Sequence, residues 1–209
     1  MKISKKTFVA IAVILFILVL DQIIKILVKT NFTLGEDKQI TSWFYIRFIE
    51  NEGMAMGIKV FGKLFLTVFR LVASIAIAYY LYLLIRNNFK LSYIILVSMI
   101  FAGAVGNIID SVFYGVIFSE SAYTQVAVLF PEGGGYNGWL HGNVVDMFYF
   151  PLFSFNWPSW IPWIGGSNFE FFRYIFNIAD SSISVGIVVL LLFFRKTLSL
   201  SFEKQEVES

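Results

Sequence analysis

Two stretches of this sequence repeat one arrangement of polar side chains. Asn107 and Asp110 in GNIID, and Asn177 and Asp180 in FNIAD, each place an amide and a carboxylate three residues apart, a spacing that puts both on one helix face. Both pairs stand at one end of a long apolar run. Two more carboxylates lie in apolar surroundings. Asp146 is flanked by Val145 and Met147, and Asp21 is followed at i+4 by Lys25. A charge at the bilayer centre costs about 2.5–3.5 kcal/mol on insertion scales, so intramembrane carboxylates are functional candidates.

The missing residue types narrow the chemistry. There is no Cys and one His, His141, and neither HExxH nor GxSG occurs. Thiol nucleophiles, Cys-ligated metals and His-cluster metal sites are therefore excluded, and no metal or cofactor is expected. Two facing carboxylates remain a route to amide hydrolysis. Close together they cannot both ionise, so one stays protonated. The ionised member takes a proton from water, while the other polarises the carbonyl and later protonates the leaving nitrogen. The same inventory also permits an ion-coupled transporter that binds H⁺ or Na⁺ at the carboxylates.

Each residue also has a structural reading. Asp21 can serve only to pair Lys25, and Arg70 can be a cation snorkelling near a helix end. Asn107 and Asn177 can be interhelical hydrogen-bond glue, and Gly103 and Gly106 can permit close helix packing. Asp180 can be an acid favoured by a helix N-terminus.

The elements that must position these groups follow from composition. The 209 residues are 58% hydrophobic and 14% charged, too few charges to cover a soluble surface. A net charge of +2 does not suggest a nucleic-acid partner. The fold class expected is an all-α membrane protein in one domain, with four transmembrane helices, a small periplasmic β-sheet and a periplasmic insert. Four runs have spanning length: Thr7–Val28, Leu64–Ile85, Leu91–Val112 and Ile175–Phe194. Lys2, Lys5 and Lys6, then Arg86 and Lys90, then Arg195, Lys196 and Lys204 all fall on one side if the spans alternate. The positive-inside rule makes that side, with both termini, cytoplasmic.

Two long outer segments, residues 29–63 and 113–174, hold the non-helical structure. Ile40–Asn51 and Val144–Phe150 read as strands from their aromatic and β-branched content. Pro131–Gly138 reads as a loop. Asn156–Gly166 holds three Trp and two Pro, so it is expected as an irregular segment resting at the membrane boundary. Ser201–Ser209 is expected to be disordered.

NEGMA at Asn51–Ala55, GNIID, VVDMF and FNIAD, with DQIIK late in the first helix, resemble in order the signature blocks of bacterial lipoprotein signal peptidase (signal peptidase II). The resemblance spans nearly the whole chain. It implies an aspartyl endopeptidase of the cytoplasmic membrane that removes the signal peptide of prolipoproteins, just before a diacylglyceryl-modified cysteine. The catalytic pair so implied is Asp146 and Asp180. Asn51, Gly53, Asn107, Asp110 and Asn177, with Asp21 nearby, would hold the substrate backbone and fix the catalytic carboxylates. The first outer segment would supply a sheet cradling the substrate, beside a mobile element that covers the site. The implied partners are the lipidated precursor, membrane lipid and globomycin-type inhibitors, acting on a monomer.

Three features depart from the family pattern. Ser111 follows Asp110 where the family commonly has Arg, leaving Arg70 or Arg173 to substitute. GMAMG follows Asn51–Glu52 where the family has a G-A-A-F pattern. The stretch between Asp110 and Asp146 is long, and its insert, roughly Tyr114–Asn143, is expected to build an extra periplasmic lobe.

Overall fold

A computed structural model describes residues 3–52 and 62–208. The first helix, α1 (Lys5–Asn31), starts where the Ser4 side chain accepts from the Thr7 N–H. It runs three residues beyond the expected end. That extension brings Lys29 onto the face that already holds Asp21 and Lys25, each four residues apart. Helix α2 spans Lys63–Arg86 and α3 spans Leu91–Ile109. α3 continues through a π-helical turn, Asp110–Tyr114, into the short α4, Gly115–Ile117. Among the described residues, three helices are long and apolar enough to cross a membrane.

The fourth apolar run differs from expectation. Ile175–Phe176 forms a strand, and α5 occupies only Ile178–Phe193. The Asn177 side chain accepts from the Asp180 N–H and caps α5, ending the extended backbone there. α5 then bends by 89° into α6, Arg195–Glu208. The expected disorder from Ser201 onward is thus corrected as far as Glu208, which ends the helix. Ser201 and Tyr80 share a hydrogen bond of 2.6 Å, and Phe202 stacks on the Tyr80 ring, so α6 is anchored to α2.

α3 is the central helix, packed on α1, α2 and α5. Its glycines explain the close approach to α5 and α1. A Cβ on Gly103 would lie 2.3 Å from the Ala179 carbonyl oxygen, and one on Gly106 would lie 2.9 Å from Asp21 Oδ2. Both therefore serve packing. One apolar core, including Ala10, Leu84, Tyr93, Ile94 and Val97, fills the end away from the carboxylates. There the Lys6 ammonium donates to the Asn88 carbonyl (2.9 Å), so the start of α1, the α2–α3 link and α6 share one end. Phe8, Phe16, Val72, Ile75, Leu192 and Phe193 point outward, as helices solvated by lipid require.

At the other end lies an antiparallel four-stranded sheet in the order β1-β2-β3-β6. β1 is Asp37–Thr41, β2 Phe44–Asn51, β3 Val144–Tyr149 and β6 Ile175–Phe176. The expected single strand at Ile40–Asn51 is therefore a hairpin, with Thr41 paired to Phe44 across a two-residue turn. The β2–β3 register shifts between Ile46 and Ile49, opposite Met147 and beside Asp146. Such bulges re-aim side chains next to functional sites. A separate hairpin, β4 (Phe153–Asn156) and β5 (Asn168–Phe171), encloses the Trp-rich turns. The expected small sheet is present beside the helices, and the two-stranded β4–β5 sheet adds to it. Short strands of two to four residues give too little period to be read from sequence.

The insert does not stand apart as a lobe. Phe118 is fully buried with Val28 of α1, Phe48 of β2 and Val145 and Met147 of β3. The Leu34 N–H donates to the Ala122 carbonyl, and the Gly142 N–H to the Ser111 carbonyl. The insert is a strap laid across the end of α1 and the sheet.

Candidate active site

Asp21, Lys25, Asn107, Asp110, Asp146, Asn177 and Asp180 form one connected network. Its foundation is α1. The Lys25 ammonium is fully buried and bridges Asp21 Oδ2 (2.9 Å), Asp110 Oδ2 (2.8 Å) and Asn107 Oδ1 (2.9 Å). Gln22 Nε2 donates to Asp21 Oδ2 (3.1 Å) and Asp110 Oδ1 (2.9 Å), and the Tyr114 hydroxyl donates to Gln22 Oε1 (3.1 Å). The π turn starting at Asp110 is a local widening of the helix of the kind found at functional sites.

This foundation grips both elements that carry the upper carboxylates. Asp21 Oδ1 accepts from the Ala179 N–H (2.9 Å) at the head of α5, and Asp110 Oδ2 accepts from the Val145 N–H (3.2 Å) on β3. Asp146 and Asp180 are the next residues along these two elements. Asn177 Nδ2 donates to Asp146 Oδ1 (2.7 Å), and Asn107 Nδ2 donates to Asp180 Oδ1 (2.7 Å). Asn177 Nδ2 also reaches Asn107 Oδ1 (3.1 Å), which closes the ring. Each upper carboxylate thus has one oxygen fixed by an amide. Asp146 Oδ2 carries no hydrogen bond among the described residues.

The two carboxylates differ in environment. Asp146 is only 3% exposed, while Asp180 is half-buried. Burial, and then the negative charge of Asp180, push the Asp146 carboxyl up to about 8 from 3.8. Asp146 therefore holds a proton at neutral pH. The pH consequence has a definite sign. Between about 4 and 8 the folded chain keeps a proton on Asp146 that the unfolded chain has lost, so this group lowers stability as pH rises through that window. The melting temperature is expected to fall as pH rises from about 4 to 8, and thermal unfolding curves across that window check this.

The other expected site residues are placed as follows. Asn51 ends β2 opposite Val144. It lines a shallow surface recess with Lys63, Thr67, Arg70, Ser111 and Gly142. Gly53 and the rest of the GMAMG stretch lie outside the described residues. Arg70 Nη1 donates to Ser111 Oγ (3.3 Å), so of the two arginines considered it is the one beside Asp110, while Arg173 is exposed. Asp21 and Asp110 are buried inside the network, 1% and 0% exposed. They bond the Ala179 and Val145 N–H groups and the Lys25 ammonium, contacts that fit the expected fixing of the neighbouring carboxylates. His141 bonds the Trp139 carbonyl through Nδ1.

A second buried ion pair escaped the sequence reading. Lys29 is bonded to Glu50 of β2, and Glu50 also accepts from Ser121 Oγ (2.6 Å) and Asn143 Nδ2 (2.7 Å) of the insert. The Lys29 ammonium faces the Tyr136 ring at 5.0 Å and the Phe118 ring at 5.3 Å. The signal was present: Asp21, Lys25 and Lys29 continue one i+4 series, but ending the helix at Val28 hid its last member. Gln22 gave no such signal, because it lies a quarter-turn from that face.

Helices of spanning length gathered around paired carboxylates fit a multi-pass membrane protein with its carboxylates at one end of the bundle. The sequence matches the family model for signal peptidase (SPase) II over residues 13–196. It is 52% identical over 190 residues to the lipoprotein signal peptidase of Porphyromonas gingivalis, covering 90% of this chain and 84% of that one. It is 32% identical over 210 residues to the Amoebophilus asiaticus lipoprotein signal peptidase, covering 97% and 84%. A solved bacterial membrane enzyme superposes with a TM-score of 0.60 at 25% identity, covering 90% of this chain and 93% of that one. This chain belongs to the signal peptidase II family and is a membrane peptidase.

Proposed function

We propose that this peptidase removes the signal peptide from diacylglyceryl-modified prolipoproteins by cutting just before the lipidated cysteine, with Asp146 and Asp180 as the acid–base pair. The observation that carries the reading is the pairing itself: one carboxylate on β3 and one at the head of α5, each fixed through one oxygen by Asn177 or Asn107. The relatives' name, lipoprotein signal peptidase, supports the substrate.

In this reading ionised Asp180 takes a proton from water as the water oxygen attacks the scissile carbonyl carbon. Protonated Asp146 hydrogen-bonds the carbonyl oxygen as charge develops there. The tetrahedral species then collapses: the C–N bond breaks, Asp146 gives its proton to the cysteine nitrogen, and the carboxyl product forms. The pair ends with one proton, now on Asp180, and re-shares it. Asn107, Asn177, Asp110, Asp21 and Lys25 keep the two carboxylates in place, and Asn51 and Gly53 meet the substrate backbone. Arg70 supplies the cation at the level of Ser111.

We place the site at the periplasmic face of the cytoplasmic membrane, with both termini cytoplasmic and α5 as a fourth span in a single-domain monomer. A lipid-anchored precursor then reaches the pair sideways from the outer leaflet, and a globomycin-type peptide would occupy the same place. The transporter reading is not favoured, because the half of the helix bundle away from the carboxylates is packed with apolar side chains. The purified enzyme is expected to cleave a lipidated precursor peptide and to leave the same peptide untouched when its cysteine is unmodified. EDTA should change neither result. Equal cleavage of both peptides contradicts the substrate assignment, and inhibition by chelator contradicts the metal-free chemistry.

A further inference from the structure

The proposed reaction leaves one large feature unused, the excursion between β3 and β6. Its two ends are fixed. Tyr149 pairs with Ile175 at the sheet edge, and the Tyr149 hydroxyl bonds the Glu170 side chain on β5. Between them β4 and β5 pair with each other, and no other element packs extensively on either. Phe155, Trp157 and Phe169 form an internal aromatic cluster with centroid separations of 5.0–6.0 Å. That cluster stiffens the hairpin without attaching it to the rest of the protein.

The tip is apolar and uncovered. Pro151 through Phe169 contains no charged residue. Trp160 is 80% exposed and Trp163 is 102% exposed. Trp163 sits at φ +65°, a left-handed backbone unfavourable for a non-glycine residue. Its side chain recovers nothing from packing within the chain. Leu152, Phe153, Ile164 and Phe171 are also exposed. Monomers in water rarely expose a continuous apolar patch of more than a few hundred Å² without a partner for it.

Three observations identify that partner. First, β6 lies one residue before the Asn177 cap of α5, so the hairpin leaves the protein at the level where α5 begins, the level of Asp180. Second, all five Trp of the chain, at 43, 139, 157, 160 and 163, fall in segments at this end of the bundle. Trp concentrates where hydrocarbon meets water. Third, a patch without charge has no means of attracting anionic headgroups, so its attachment must come from burial of apolar area.

We propose that the hairpin Phe153–Phe171 is a membrane-interfacial anchor whose tip, Trp160 and Trp163, inserts among the phospholipids on the side of the bilayer where the carboxylate pair lies. It is a second attachment of the sheet to the membrane, besides the spans, and fixes the height of β3 above the acyl chains.

The test uses the full-length enzyme in nanodiscs of phosphatidylcholine, with the acyl chains either plain or brominated, and without substrate. The result is therefore independent of the catalytic assignment. Tryptophan emission of the wild type is compared with that of a Trp160→Ser/Trp163→Ser variant. A second protein, with Trp43, Trp139 and Trp157 replaced by Phe, leaves only the tip emitting. Brominated lipid is expected to remove more than half of the tip emission, equally at low and high salt. The Trp160→Ser/Trp163→Ser variant should lose that quenchable fraction. Unchanged tip emission in brominated lipid overturns the anchor. Quenching that disappears at high salt overturns the apolar mode of attachment. Tip emission unquenched by lipid but altered on dilution, with a dimer in solution, assigns the patch to a second copy of the chain and also overturns it.

Discussion

Replacing Asp146 or Asp180 by Asn is expected to abolish cleavage of a lipidated precursor while leaving the protein folded. Positioned acid–base groups each contribute about 10²–10⁴-fold, and here the two act as a unit, so either change should remove at least that much. Folding should survive for geometric reasons. An amide at 146 can still accept from Asn177 through its oxygen, and an amide at 180 can still accept from Asn107 and keep the cap on α5. Asp146→Asn also removes a carboxyl whose proton affinity is raised by burial. Its melting temperature relative to wild type should rise as pH goes from about 4 to 8. Single-turnover assays and melting curves on the two variants check both halves. A variant that retains cleavage within tenfold of wild type would dissolve the pair.

The second large effect is structural and lies on α1. Lys25 is the one cation inside the network, touching Asp21, Asp110 and Asn107 with no exposure to solvent. Lys25→Met leaves two buried carboxylates facing each other. Breaking one partner of a buried ion pair costs about 3–5 kcal/mol, a large part of the 5–15 kcal/mol typical of a folded domain. The variant should melt many degrees lower or fail to accumulate. Adding Asp21→Asn and Asp110→Asn removes the stranded charges, and should restore much of the melting temperature. A Lys25→Met protein that melts like wild type would show that the network does not hold α1, α3, α5 and β3 together. The consequence for activity follows from Asp21 and Asp110. Their bonds to the Ala179 and Val145 N–H groups fix the residues immediately before Asp180 and Asp146.

Much of this arrangement is legible in the sequence. Runs of apolar residues long enough to span a bilayer fixed the helices, and the i, i+3 spacing of Asn107 with Asp110 and of Asn177 with Asp180 marked the site. What escaped depended on local capping and on long-range pairing. N-x-x-D at Asn177–Asp180 is a capping pattern, but the apolar residues on both sides made the helix read as beginning at Ile175. The turn at Ser42–Trp43 contains neither Gly nor Pro, so one strand was read where β1 and β2 form a hairpin. The insert's attachment could not be read, because Ser121 and Asn143 find Glu50 only through the tertiary fold. The roles of Asp21 and Asp110 as buried supports follow from which backbone N–H groups they meet, and sequence spacing does not reveal that.

The central claim is that Asp146 and Asp180 hold one proton between them. The most direct measurement is a carboxyl ¹³C NMR titration of the full-length enzyme labelled at aspartate, with Asp146 assigned by its loss in Asp146→Asn. The account predicts a midpoint near 8 for Asp146, moving downward when Asp180 is replaced by Asn and its charge is gone. A midpoint in the ordinary carboxylate range near 4, unmoved by Asp180→Asn, would contradict it.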